Sequence, residues 1–252
     1  LLSSTTRRSS DLAGQTDTPL YIAHMTCREA IAELQKAKGT GQRVSGETCT
    51  HYLTTTKEVL DNPDFNEAAK FVCSPALRDR EDCEALWQAL SDGLLTAVSS
   101  DHCGIDVAEL KQACRNDFTQ IPYGSPGAGD RLHMVWTEGV CTGKLSRQKF
   151  VDVIATLPAK INGIYPRKGT LAVGSDADVV IFDPNYEGTV HLADNPNGVD
   201  YNLYEGRRQS GRVETVLLRG QVVVENAKFV GRYGQGKFIP ANMYASGYEN
   251  RN

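Results

Sequence analysis

A chain of 252 residues has room for one large or two modest domains, and 40% hydrophobic with 23% charged residues is the balance of a globular protein. A formal net charge of -4 leaves no basic footprint for nucleic acid. No apolar run approaches the roughly 18 residues of a membrane span. The seven cysteines, at 27, 49, 73, 83, 103, 114 and 141, are odd in number and contain no CxxC. They read as reduced thiols of a cytoplasmic protein rather than a disulfide framework or a zinc knuckle. None falls in residues 142–252, a hint that the last part is a different module.

Residues 1–10 are polar and rich in Ser and Thr, and read as a flexible start or as the interior of a longer chain. Pro19-Leu20-Tyr21-Ile22-Ala23-His24 is an apolar strand ending in histidine. Thr26 then has the place of an N-cap, with Glu29 as its capping-box partner. The helix that follows puts Ala30, Ile31, Leu34 and Ala37 on one face, and Gly39-Thr40-Gly41 stops it. A second strand is expected over residues 43–47. After a further helical segment and the turn Asp61-Asn62-Pro63-Asp64, residues 79–90 predict a helix with Cys83, Leu86, Trp87 and Leu90 inward. Thr96-Ala97-Val98-Ser99-Ser100-Asp101 is a short strand that stops at a carboxylate. Strands alternating with helices predict a parallel sheet with helices outside it. In such folds ligands bind at the C-terminal strand ends.

Residues 104–130 carry turn chemistry, with Pro122, Gly124, Pro126, Gly127 and Gly129. A long Gly/Pro loop after a candidate catalytic strand predicts a substrate wall or lid. Helices are expected over residues 131–139 and, capped by Ser146, 146–157. From Gly169 the pattern turns to short β-runs: residues 177–182, then two strands around the Arg219-Gly220 turn.

His24 and Asp101 form the sharpest chemical pair. An imidazole and a carboxylate suit zinc or a similar divalent ion, which brings the pKa of bound water to about 7. Two ligands do not make a site. A core histidine and a helix-capping aspartate remain open readings of the same residues. Gly231 to Lys237 nearly matches a phosphate loop, but Phe238 stands where its hydroxyl residue belongs, so a structural turn is expected. His51, His133 and His191 share no ligand spacing and read as structural or exposed. Cys103 reads as packed rather than reactive.

Several runs taken together carry a resemblance. Leu20-Tyr21-Ile22-Ala23-His24-Met25-Thr26, Gly46-Glu47-Thr48-Cys49, Val72-Cys73-Ser74-Pro75-Ala76-Leu77-Arg78-Asp79, Ser100-Asp101-His102-Cys103, Asp117-Phe118-Thr119 and the run from Tyr165 to Asp178 resemble the dihydropyrimidinase/D-hydantoinase family. These are the cyclic amidases of the amidohydrolase superfamily, and the match runs in order from about residue 10 to about 245. The resemblance implies an α/β fold: residues 1–165 as the C-terminal portion of a metal-dependent (β/α)8 TIM barrel, and 166–252 as a β-sandwich segment with the C-terminal tail. It implies two divalent metals, usually Zn2+, bridged by hydroxide and a carboxylated lysine. His24 matches a ligand of the second metal. Asp101 matches a ligand that also shuttles the proton. Ser74 matches a serine whose main chain holds the cyclic amide or imide. Tyr123 falls where many hydantoinases have asparagine, in a loop whose backbone touches substrate, and its larger side chain is expected to alter ring specificity.

By the same resemblance the family's His-x-His, lysine and remaining histidine ligand belong upstream of Leu1. The chain is then expected to be the C-terminal half of a longer protein and inactive alone. The implied activity opens dihydropyrimidines or 5-substituted hydantoins to N-carbamoyl amino acids, as in pyrimidine catabolism, in a cytoplasmic homotetramer with no nucleic-acid or membrane partner. Two alternatives stand beside it. One is a non-catalytic dihydropyrimidinase-like scaffold, which metal analysis distinguishes and which the presence of His24 and Asp101 disfavours. The other is a dihydroorotase or allantoinase, disfavoured by Cys73-Ser74-Pro75 and the 165–178 run.

Overall fold

The computed structural model describes residues 2–242. The stretch that reads as a flexible start or as the interior of a longer chain is a helix, α1 (Leu2–Gln15). Its Thr6 and Ser10 are buried, and Ser10 returns its hydroxyl to the Arg7 carbonyl. α1 packs on α2 (Arg28–Gly39), and this tertiary contact outweighs a composition poor in apolar residues.

Three parallel strands follow the expected order: β1 (Leu20–Ile22), β2 (Val44–Cys49) and β3 (Ala97–Ser99), adjacent as β1-β2-β3. Register pairs Leu20 with Val44 and Glu47 with Ala97. Gly46 sits where the sheet meets its helices. A Cβ there would lie 2.6 Å from the Met25 sulfur and 3.0 Å from Leu34, so the missing side chain is what admits both.

α2 buries the expected face: Ala30, Ile31, Leu34 and Ala37. Its N-cap is Cys27, not Thr26. Thr26 is buried and its hydroxyl accepts from Arg78 Nε, so it is not free to cap. The first turn is served instead from α5 (Arg80–Ser91), whose Asp82 carboxylate accepts the Arg28 N–H at 3.0 Å. α5 buries Cys83, Leu86, Trp87 and Leu90 as expected. The Trp87 indole donates to the Leu53 carbonyl in the short helix α3 (Thr50–Thr54). Leu34, Leu86, Leu90 and Leu95 are fully buried, and each contributes about 1.5–3 kcal/mol. A further short helix, α4 (Phe65–Ala69), is capped by Asp64.

Beyond the 104–130 loop, α6 (Arg131–Val135), α7 (Arg147–Val151) and α8 (Leu157–Ile161) are joined by wide π-type turns at Trp136–Val140 and Asp152–Thr156. Ser146 caps α7 as expected, accepting the Lys149 N–H at 3.1 Å. The β-rich segment is a four-stranded antiparallel sheet in the order β4 (Val179–Thr189), β5 (Arg208–Leu218), β6 (Gln221–Glu225), β7 (Lys228–Phe229). The turn between β5 and β6 is at Arg219-Gly220, both left-handed. The Trp136 ring stands edge-on to Phe150 and Phe182, tying the sheet to the helices. Gly231–Lys237 forms no helix, in keeping with a structural turn. All seven cysteines are free thiols. Among the described residues no helix is long and apolar enough to cross a membrane.

Candidate active site

The three parallel strands deliver three polar residues by one rule. His24, His51 and Asp101 each lie two residues beyond the last residue of their strand: Ile22, Cys49 and Ser99. His24 has φ 39° and Asp101 φ 45°, left-handed values that are uncommon outside glycine and that surrounding contacts must hold. After His24, the Met25 N–H donates to the Glu47 carbonyl and the Thr48 hydroxyl to the Met25 carbonyl, each at 2.8 Å. Before Asp101, the Arg131 guanidinium holds the Val98 carbonyl at 2.8 Å. Gly127 lies so close to the Ser100 carbonyl that a Cβ would be 3.0 Å from it.

One ligating atom each from Cys49, His51 and Asp101 falls within 4.8 Å of the others. Burial holds the Cys49 thiol protonated, and it shares a 3.2 Å hydrogen bond with the Ser99 hydroxyl. Burial also pushes His51 down to about 4, with His24 adding to the effect, so its ring is neutral at pH 7. His51 Nε2 is buried without a hydrogen-bond partner. His51 is therefore the neighbour that His24 and Asp101 share. His51 shares no ligand spacing with the other histidines and reads from sequence as structural or exposed; the middle strand, expected to stop at Glu47, runs two residues further to Cys49 and brings it to a strand end. An orphaned imidazole nitrogen beside a second imidazole and a carboxylate fits a divalent cation. The Cys49 thiol, hydrogen-bonded to Ser99, stands beside them.

Ser74 is exposed on the turn after Cys73, and Pro75 beneath it is buried. The Tyr52 hydroxyl and the Cys73 thiol both hold the Pro75 carbonyl, at 2.6 and 3.3 Å. Burial, with a smaller contribution from the Asp101 charge, keeps both of those donors protonated. Pro75 also closes a cavity of about 230 Å3 that runs along β1 to His24. Tyr123 is 68% exposed, at the tip of a loop whose next residues, Gly124 to Gly127, are buried. That loop is tied down at several points. Gly124 N–H donates to the Val72 carbonyl, and Ser125 bridges to His102 and bonds the Lys70 carbonyl. The Gly127 and Ala128 N–H groups converge on His102 Nδ1 at 3.3 and 3.5 Å. Cys103 is half-buried and packs against Gly124.

All four residues singled out by sequence therefore lie on segments joined around the C-terminal ends of the parallel strands. The arrangement offers imidazole and carboxylate donors for a cation, with the Ser74 and Tyr123 loops joined by the Gly124 N–H to Val72 carbonyl bond. Residues 19–223 match the model of the amidohydrolase family. The D-hydantoinase of Ralstonia pickettii is 46% identical over 239 residues, covering 95% of this chain and 52% of that protein. That of Geobacillus stearothermophilus is 40% identical, covering 96% and 51%. The chain thus spans about half the length of these curated relatives. Among solved structures, the dihydropyrimidinase of Brevibacillus agri superposes with a TM-score of 0.93 at 41% identity, covering 99% of this chain and 53% of that one. The L-hydantoinase of Arthrobacter aurescens gives 0.86 at 30%, covering 94% and 51%. With four-fifths of its length inside the family model, the chain belongs to the amidohydrolase family.

Proposed function

We propose that this chain supplies one side of the active site of a cyclic amide hydrolase, which opens dihydropyrimidines or 5-substituted hydantoins to N-carbamoyl amino acids. One observation carries the reading: two imidazoles and a carboxylate at equal offsets from three adjacent parallel strand ends, two of them on left-handed backbone. In this reading residues 1–165 are the C-terminal portion of a (β/α)8 barrel and 166–252 a β-sandwich segment. His24 and Asp101 would hold a divalent ion, Zn2+ by the resemblance to hydantoinases, and residues outside this chain would hold a second. The complete protein is a cytoplasmic homotetramer acting in pyrimidine catabolism.

When bound, the ion supplies Lewis acidity toward a water and a ring carbonyl. The protein's own residues do the rest. Main-chain groups at Ser74 and Tyr123 orient the ring between their loops. Asp101 takes the proton from the attacking water as its oxygen bonds to the ring carbonyl carbon. It then passes that proton to the ring nitrogen as the C–N bond breaks. His51 keeps a neutral, unprotonated face beside the carboxylate. The test is hydrolysis of dihydrouracil and a 5-substituted hydantoin by the complete, zinc-loaded protein. Absence of turnover on both rings, with metal bound, overturns the reading.

A further inference from the structure

Among the described residues Lys111 is the one lysine whose side chain is wholly inside the protein, at 0% exposure. A buried ammonium is costly unless something takes its three protons. Here all three find main-chain carbonyls: Ala69 at 2.8 Å, Gly124 at 2.9 Å and Val72 at 3.4 Å. Among the described residues no carboxylate pairs with it. The Tyr201 ring lies 5.7 Å away at the centroid, and the Cys73 and Cys103 thiols are close enough to act on its charge.

The three carbonyls come from two loops. Ala69 and Val72 lead into Ser74, and Gly124 follows Tyr123. The same two loops are also joined directly, Gly124 N–H to Val72 carbonyl at 2.9 Å. The lysine is itself fixed from a third direction. Its turn (Val107–Lys111) begins on the Asp200 carboxylate, which accepts the Val107 and Ala108 N–H groups at 2.9 Å each. A structural core position needs no charge, and a methionine would fill this space. What only an ammonium provides is three directed bonds that fix one loop relative to the other.

We propose that Lys111 is a positioning residue, a buried clamp that sets the spacing between the Ser74 loop and the Tyr123 loop and so the fit of the ring between them. The consequence for substrate rests on the cyclic amide reading above; the clamp itself does not. Lys111 touches neither metal candidate nor reacting atoms, so its loss alters ring binding more than turnover.

The experiment uses the complete protein with Lys111→Met and Lys111→Arg. Amide hydrogen exchange is followed in the segment containing Gly124 and, as reference, in the segment containing Thr96, whose N–H is held by the Gly46 carbonyl. Lys111→Met is expected to speed exchange about tenfold or more at the Gly124 segment and not at the reference. With dihydrouracil, KM is expected to rise about tenfold while kcat stays within about threefold and bound metal is unchanged. Lys111→Arg, which keeps charge and donors, is expected to restore part of the protection. Equal acceleration in both segments, or none in either, overturns the clamp. A fall in kcat and bound metal at unchanged KM overturns the positioning role. If the wild-type protein hydrolyses no cyclic amide, the function reading fails while the exchange result still decides the clamp. Should Lys111→Met not fold, the Arg variant alone decides: it shows protection intermediate between wild type and free loops, or the proposal falls.

Discussion

The Tyr52 hydroxyl donates a 2.6 Å hydrogen bond to the carbonyl of Pro75, the residue that seats Ser74 at the mouth of the sheet. Tyr52 is 2% exposed and lies in α3, which follows β2 directly, so the Ser74 loop is anchored beside the strand between the two candidate ligands. Tyr52→Phe removes that donor and leaves the carbonyl only the weaker Cys73 thiol at 3.3 Å. A cost of about 1–2 kcal/mol is expected, seen as a lower thermal midpoint. KM for a cyclic amide is expected to rise with bound metal unchanged. A variant with wild-type KM would show that the Pro75 carbonyl does not position the substrate loop.

Asp101→Asn separates the chemical role of the carboxylate from its backbone role. Asparagine tolerates the left-handed φ of 45° nearly as well as aspartate, so the fold is expected to survive. Proton transfer does not survive, and kcat is expected to fall by about 10²–10⁴ with KM little changed. Asp101→Val, which adds a β-branched side chain at positive φ, is expected to cost stability as well. Steady-state rates on the zinc-loaded protein, with circular dichroism as the fold check, distinguish the two. Wild-type turnover in the Asn variant removes Asp101 from the mechanism.

Much of this arrangement was legible in the sequence. The alternation of short β-runs with amphipathic helices gave the parallel sheet, because each helix shows one apolar face and each strand stops at a polar residue. His24 and Asp101 stand out because each ends a short β-prone run, Leu20-Tyr21-Ile22-Ala23 before the one and Thr96-Ala97-Val98-Ser99-Ser100 before the other. His51 did not, since Thr48, Cys49 and Thr50 blur the end of β2 and only pairing with Ala97, Val98 and Ser99 extends that strand to Cys49. Thr26 was misread for a related reason. A capping box is a local signal, and the Arg78 contact and the Asp82 carboxylate that displace it come from more than fifty residues away. Lys111 gave no signal at all, because nothing in a solvated-looking run of Glu109, Lys111 and Gln112 says which polar residue will be buried.

Gly46 links the core to the site. Adding one methyl group by Gly46→Ala meets the Met25 sulfur at 2.6 Å, Leu34 at 3.0 Å and Leu95 at 3.3 Å. Leu34 and Leu95 are fully buried and cannot retreat, so overpacking is expected to cost about 1–3 kcal/mol. Met25 is the more flexible neighbour and is expected to move first, carrying with it the turn that holds His24. The measurable result is a lower midpoint together with reduced zinc content. An unchanged zinc content at lowered stability would show that the His24 turn is independent of the core.

Lys111 also predicts a pH signature of stability. Burial pulls its pKa from an ordinary 10.5 down to about 8, while the Cys73 and Cys103 thiols that face it pull weakly the other way. Between pH 8 and 10.5 the folded protein has released this proton and the unfolded chain has kept it. Unfolding therefore takes up a proton, and this group's contribution to stability rises with pH across that window, by up to about 3 kcal/mol. Below pH 8 both states are protonated and the contribution is constant. The raised thiol pKa values of Cys49 and Cys73 oppose this trend, because folded thiols hold their protons above pH 9 while unfolded ones do not. Cys49 is common to wild type and Lys111→Met, whereas the Lys111 charge pulls the Cys73 pKa down and its loss lets that thiol rise further, so the difference between the two proteins reports Lys111 together with its coupling to Cys73, and both change in the same direction. Denaturant unfolding at pH 7, 8, 9 and 10 is expected to show wild type gaining on Lys111→Met as pH rises above 8. A difference that stays flat across the series would mean that the carbonyl cage holds the ammonium charged throughout, and that Lys111 carries no linkage in this range.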